Sequence, residues 1–288
     1  MSVLTAHVAL VSESPSVSFA DLTQVAAAMQ KQVTRDFGPL WQVNATVDAF
    51  DRLESVPIDY WPVILMDDIQ EPGAAGYHTD DQGQPFALVQ VDDSWPLTVS
   101  HETLEMLADP FGNRTIAGAP PPGSPAPVNT LKRVSYLVEV CDPCEAGQFG
   151  YTVNGILLSD FITHHYYDPK KKSSADYSFE GNITKPHQVI EGGYVSFGNP
   201  VDNHWYQIIV ENGVEQLRDL GVISSSSGKS LREMVDHMVR EAKRKEHYRT
   251  KPAAAAAKAA AAGAGLSPFA DTTKVKAQSL RKFVKGLK

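Results

Sequence analysis

Residues Ser100-His101-Glu102-Thr103-Leu104-Glu105 decide how this chain is read. Ser94-Trp95-Pro96 opens a helix ahead of them, since proline is tolerated in a first helical turn. Pro110 closes it, because the residue before a proline is pushed out of helical geometry. The helix is expected over about residues 96–108. His101 and Glu105, four apart, leave it on one face. Imidazole and carboxylate are both good zinc ligands, and two from one turn supply a rigid half of a tetrahedral site. Glu102 stands beside the first ligand, the place of the general base in H-E-x-x-H sequences. The pattern here is H-E-x-x-E, and an anionic second ligand leaves bound water less acidic than a histidine would. The competing reading is a solvated helix start, whose acidic residues favour the positive end of the helix dipole.

A tetrahedral catalytic zinc needs a third protein ligand. Val138-Glu139-Val140-Cys141-Asp142 follows some thirty residues later. On a strand, Glu139 shares a face with Leu137 and Cys141, and a buried carboxylate is costly unless paired or metal-bound. Glu139 is the preferred third ligand. Asp142 and Asp109 stand as outer-layer residues or alternative ligands, and Asp109 also reads as a turn residue at the helix end. An oxyanion at the metal needs a further donor; the candidates are His78, Tyr77 and the run His164-His165-Tyr166-Tyr167, of which His165 and Tyr167 are preferred with His78. Arg114 follows the helix closely enough to pair with Asp109 or Glu105 as support.

The combination Ser100-His101-Glu102-x-x-Glu105-x-x-x-Asp109-Pro110 with Glu139-Val140-x-Asp142 resembles a group of microbial zincin-like proteins that share S-H-E-x-x-E-x-x-x-D-P and an E-[IV]-x-D segment. Gln32-Val33-Thr34-Arg35-Asp36-Phe37, Gly76-Tyr77-His78, Gly192-Gly193-Tyr194 and Trp205-Tyr206-Gln207 also resemble that group. The likeness covers roughly residues 5–210. It implies a metallopeptidase-like fold whose sheet edge lies beside the motif helix; Phe86 to Val91, directly before that helix, is the expected edge strand. An exposed edge pairs with an extended peptide through main-chain hydrogen bonds, which favours peptide over sugar or phosphate substrates.

Around the motif the chain reads as mixed α and β. Leu22 to Phe37 carries Val25, Met29 and Val33 at helical spacing, with Ser18 as N-cap. Trp41 to Phe50, Trp61 to Met66 and Phe86 to Val91 read as strands. Gly73, Gly76, Gly83 and Pro85 bracket a loop. Ala117 to Val128, with five prolines, reads as irregular and exposed. Arg133 to Val140 is strand-like, and Gly150 to Leu158 reads as a strand pair turned at Asn154-Gly155. Gly228-Lys229-Ser230 lacks the upstream glycine of a phosphate loop, having Ile223 there, and starts an amphipathic helix from Leu231 to Lys245. Pro252 to Gly265 is almost all alanine and glycine.

The 288 residues are 42% hydrophobic and 21% charged, an ordinary globular composition. No apolar run approaches the roughly 20 residues of a membrane span. The start of the chain shows no secretory pattern, so the default compartment is the cytoplasm, with non-classical export left open. The net charge of −8 is uneven: Arg240 to Lys288 holds thirteen basic against three acidic residues, and the remainder 13 against 31. The basic tail leaves contact with nucleic acid or an acidic surface open. Cys141 and Cys144 are too few for a four-sulfur zinc site; two reduced, buried thiols are expected rather than a redox pair or a disulfide.

The resulting expectation is an α+β, zincin-like metallopeptidase fold: a twisted mixed sheet, an active-site helix and a low-complexity basic C-terminal tail. Residues 1–215 form the catalytic domain, 216–248 a linker with an amphipathic helix, and 249–288 an alanine-rich tail, disordered or partly helical. The expected chemistry is zinc-dependent hydrolysis of a peptide or protein, with His101, Glu105 and Glu139 as ligands and Glu102 as base. Another divalent metal is compatible with so many carboxylates, and a non-catalytic binding protein on the same scaffold is the alternative.

Overall fold

Trp61-Pro62-Val63-Ile64-Leu65-Met66 is a nearly continuous apolar run, the pattern of a parallel strand buried on both faces. In the computed structural model, which describes residues 5–224, 228–250 and 280–286 with α4 side chains to residue 243, it is the central strand of a five-stranded sheet. The strands are β1 (Thr5–Ser12), β2 (Asn44–Phe50), β3 (Trp61–Met66), β4 (Gly76–Asp81) and β5 (Gln84–Gln90), in spatial order β2-β1-β3-β5-β4. The first four in that order run parallel, and β4 pairs antiparallel with β5. Alternation splits their side chains between two cores. Val8, Leu10, Val63, Leu65, Ala87 and Val89 face the larger one, and Ala9, Val11, Ile64, Met66, Phe86 and Leu88 the smaller.

Helix α1 (Phe19–Lys31) crosses from β1 to β2 and starts at Ser18, whose Oγ accepts from Asp21 N at 3.1 Å, as the sequence predicts. It widens into a π-helical stretch over Gln32–Phe37 and ends in α2 (Gly38–Trp41), so the strand expected from Trp41 begins at Asn44. The motif helix is α3 (Trp95–Ala108), capped at Asp109 as Pro110 requires. It packs on the larger-core face against β5 and the edge strand β4.

Two expectations are corrected here. The segment bracketed by Gly73 and Pro85 is not all loop: Gly76–Asp81 is β4, turned into β5 at Gln82-Gly83, both at positive φ. Consequently β4 is the sheet edge, and the strand before α3 is interior, flanked by β3 and β4. The polar sequence Gly-Tyr-His-Thr-Asp-Asp hides this strand, because an edge beside a cleft lacks the apolar alternation of a core strand.

The second half is β-rich, as expected. An antiparallel sheet runs β12-β11-β10-β7-β6, comprising β6 (Thr115–Gly118), β7 (Val134–Leu137), β10 (Tyr194–Asn199), β11 (His204–Glu211) and β12 (Val214–Val222). A hairpin of β8 (Tyr151–Val153) and β9 (Ile156–Leu158) turns at Asn154-Gly155, as the dipeptide predicts. The irregular stretch from 117 is partly internal: Ala117 and Gly118 belong to β6, and Val128 is buried. The boundary expected at 215/216 falls inside β12, because Val214–Val222 pairs along its length with β11. Helix α4 (Leu231–Thr250) starts at a reciprocal cap, with Glu233 N donating to Ser230 Oγ at 3.2 Å and Ser230 N to Glu233 Oε2 at 2.8 Å. Val235 and Val239 seat it against Leu137, Trp205 and Ile223.

Residues 280–286 are helical and lay Leu280 and Val284 into the smaller core. Arg281 Nη2 donates to the Val56 carbonyl at 2.7 Å, and Lys285 pairs with Glu54 at 2.9 Å. The alanine-rich run Pro252 to Gly265 lies outside the described residues. Among the described residues no helix is long and apolar enough to cross a membrane.

Candidate metal centre

Ser100 holds the motif helix in place. Its Oγ donates to Gln32 Oε1 at 2.9 Å and accepts from Ser159 N at 3.1 Å, and Gln32 Nε2 closes the ring on the Ser159 carbonyl at 3.0 Å. All three residues are buried, so the π-helical turn, α3 and the end of β9 are locked together by satisfied polar groups. One face of α3 then presents His101, Glu102 and Glu105 to the sheet edge and the second half.

Glycines allow the flanking backbone to approach. A Cβ at Gly76 would stand 2.9 Å from Glu102 Cγ and from Thr98 Cγ2, so only glycine lets β4 lie this close to α3. A Cβ at Gly193 would meet the carbonyl oxygens of Asp142 and Pro143 at 2.7 and 2.6 Å. That contact presses the approach to β10 against the 3-10 turn Asp142–Cys144 and holds Asp142 towards α3.

His101 Nε2 lies 3.4 Å from Glu105 Oε2 and 3.2 Å from Asp142 Oδ1. Ligand atoms bound tetrahedrally at about 2.0–2.1 Å are about 3.3 Å apart, so each of these two separations matches a pair of donors on one ion. Glu105 is fully buried, and its Oε1 accepts from Cys141 N at 3.1 Å, leaving Oε2 free to face His101. Glu105 Oε2 and Asp142 Oδ1 are both buried without a hydrogen bond, and a buried carboxylate oxygen left so is costly unless a cation meets it. Glu145, lining the cleft, brings a carboxylate into a group with His101 and Asp142 whose donor atoms lie within 4.8 Å of one another. The residues present fit a divalent cation.

Without a metal, proton affinities record the crowding of charge. Burial opposes a charged His101, but Glu105, Asp142 and Glu102 outweigh it and hold the imidazole well above its ordinary value. Burial also acts on Glu105, yet His101 and Arg232 bring it below the usual carboxylate range. Burial, reinforced by Glu105, pushes Asp142 well up. Burial lifts Glu145 to about 7.

The expected third ligand is displaced. Past Leu137 the chain leaves β7, and Glu139 turns to Arg232, whose Nε lies 3.1 Å from Glu139 Oε2. Glu139 groups with Glu105 and His78, whereas His101 groups with Glu105 and Cys141 and, separately, with Asp142 and Glu145. Of the other candidates, His78 is at the centre: it is buried on β4, with Nδ1 3.4 Å from Glu102 Oε2 and 3.7 Å from Glu105 Oε2. Asp109 is a helix-end residue, its Oδ2 accepting from Arg114 N at 2.6 Å. The Arg114 guanidinium donates to the Ala108 carbonyl at 2.7 Å and lies over the Trp41 ring, so it supports the helix end rather than Glu105. His165 is half exposed and paired with Asp168 and is no part of the centre. Tyr167 is buried in an aromatic cluster with Tyr136 and Tyr166. Cys141 and Cys144 are free and buried, and burial raises both thiols well above their ordinary value.

Sequence reasoning missed Arg232, Tyr194 and Glu145. Arg232, on α4, sits among Glu102 at 3.7 Å, Glu105 at 3.8 Å, Glu139 at 3.1 Å and Asp236 at 4.0 Å, and donates to the His78 carbonyl. Nothing near it in sequence marks it, though Ser230-x-x-Glu233 marks its helix start. A cleft of about 780 Å³ opens over this cluster, lined by His78, His101, Glu102, Glu145, Tyr194 and Arg232. The chain matches no known protein family, no curated protein and no solved structure.

Proposed function

We propose that this chain is a metal-dependent hydrolase acting on peptide bonds, with His101, Glu105 and Asp142 as metal ligands and Glu102 as general base. The observation that carries the reading is that two orphaned, buried carboxylate oxygens lie 3.4 and 3.2 Å from the Nε2 of His101, an imidazole that lines an open cleft. A divalent ion supplies Lewis acidity there, both to water and to a polarised carbonyl. One nitrogen and two oxygen donors suit zinc and also harder ions such as manganese. Glu102, on the cleft wall between His78 and Arg232, accepts a proton from water and returns it to the leaving amine. Cys141 N orients Glu105 from the outer layer.

A peptide substrate is favoured because β4 is a sheet edge lying against α3, and an extended chain adds to such an edge by main-chain hydrogen bonds at positions other than the His78 carbonyl, which Arg232 caps. A mixed sheet whose edge strand adjoins the motif helix is also what the zincin-like resemblance implies.

Elemental analysis of the purified protein tests the reading. About one zinc per chain is expected in wild type and in Glu139→Gln, and none in His101→Ala, Glu105→Ala or Asp142→Ala. Glu102→Gln should keep the ion and fail to cleave a peptide library that wild type cleaves. A wild-type protein that carries no metal and takes up none from added zinc would sink the hydrolase and leave a binding protein of zincin-like shape.

A further inference from the structure

The polar cluster has a second half that the hydrolase reading does not use. The donor atoms of His78, Glu105 and Glu139 lie within 4.8 Å of one another, and all three residues are buried. His78 Nε2 and both Glu139 oxygens have no hydrogen bond. Glu105 belongs to both halves, since Oε2 is 3.4 Å from His101 Nε2 and 3.7 Å from His78 Nδ1. Chemically this is a second imidazole-and-two-carboxylate set, sharing a carboxylate with the first, as in two-ion centres.

What fills it is Arg232. A guanidinium binds a carboxylate best as a two-pronged fork. Arg232 does not: its nitrogens lie within 4.0 Å of four different carboxylates, and its aligned donation goes to the His78 carbonyl. It serves as a resident positive charge among anions. A divalent ion between His78, Glu105 and Glu139 would sit against that charge in a site of low dielectric, so the two occupants exclude each other.

We propose that His78, Glu105 and Glu139 form a second divalent-cation site, which Arg232 keeps closed and which opens when its positive charge is removed. The inference rests on the hydrolase reading for its first ion, because a shared Glu105 makes the centre one-metal with Arg232 and two-metal without it.

Equilibrium dialysis of the full chain against zinc, followed by elemental analysis, measures this without any activity assay. Wild type should hold about one ion per chain and Arg232→Met about two, with the double variant His78→Ala, Arg232→Met back at about one. Circular dichroism checks folding, and Arg232→Gln, which retains a hydrogen-bond donor for the His78 carbonyl, serves in the same way should Arg232→Met fail to fold. One ion in wild type and one in the folded Arg232 variants overturns this inference alone. Two ions in wild type also overturn it, since the arginine would then exclude nothing. A wild type that binds none overturns the hydrolase reading instead.

Discussion

The cluster beneath the cleft and the aromatic cluster around Tyr136 each bury a histidine, and the two imidazoles are displaced in opposite directions. His101 has a side chain 13% exposed and is pushed well above its ordinary value, because Glu105, Asp142 and Glu102 together outweigh burial. His187 is buried against rings, stacked on Tyr136 at 4.8 Å between centroids and edge-on to Tyr166. Burial wins there and brings it from 6.5 down to about 4. Desolvation acts on both; what differs is whether the neighbours carry charge. One region therefore favours positive charge, as the proton on His101 and the guanidinium of Arg232, and the other keeps its imidazole neutral.

The largest effect should come from taking away the fixed cation. In chelator, Arg232→Met leaves the buried Glu139 without the guanidinium it faces, and the expected loss is about 3–5 kcal/mol. Urea unfolding with and without added zinc measures it. The contrast sharpens if zinc restores part of the loss in the variant, and it breaks if the variant is as stable as wild type in chelator.

Next comes the neutral histidine. Unfolded, His187 takes up a proton near 6.5, whereas folded it does so near 4. Between those values the unfolded state binds more protons, so this contribution is intact above about pH 7 and is lost as the pH falls towards 4. His187→Phe preserves the stack on Tyr136 and removes the titration. Between pH 7 and 5 wild type should lose about 2 kcal/mol more than the variant. Parallel pH profiles for the two would show that His187 titrates normally in the folded chain.

A smaller pair of substitutions separates the support of the centre from the candidate outside it. Ser100→Ala strands both Gln32 and the Ser159 amide, at an expected cost of about 1–3 kcal/mol. His165→Ala removes a half-exposed ion pair with Asp168, at a cost of under about 0.5 kcal/mol. Melting temperatures in zinc rank the two, and a larger drop in His165→Ala would reverse the assignment of roles.

Local rules made much of this molecule legible in the sequence. Helical spacing put His101 and Glu105 on one face, proline and serine marked the ends of α3 and α1, Asn154-Gly155 turned a hairpin, and an apolar run marked β3. Each follows from residues within a turn or a strand of one another, where backbone geometry alone decides. The tertiary structure decided the rest. Glu139 and Asp142 are three residues apart and equally good donors, and which one reaches His101 depends on where β7 ends and on Gly193 pressing the Asp142 turn towards α3. Strand β4 reads as loop because its sequence is suited to a wet edge. Arg232 is 154 residues from His78, the strand residue whose carbonyl it caps, and no periodicity reaches that far. The sequence by itself determined which side chains could bind a cation. Only long-range packing, by choosing which buried charges face each other, decided which of them gather round His101 and which round Arg232.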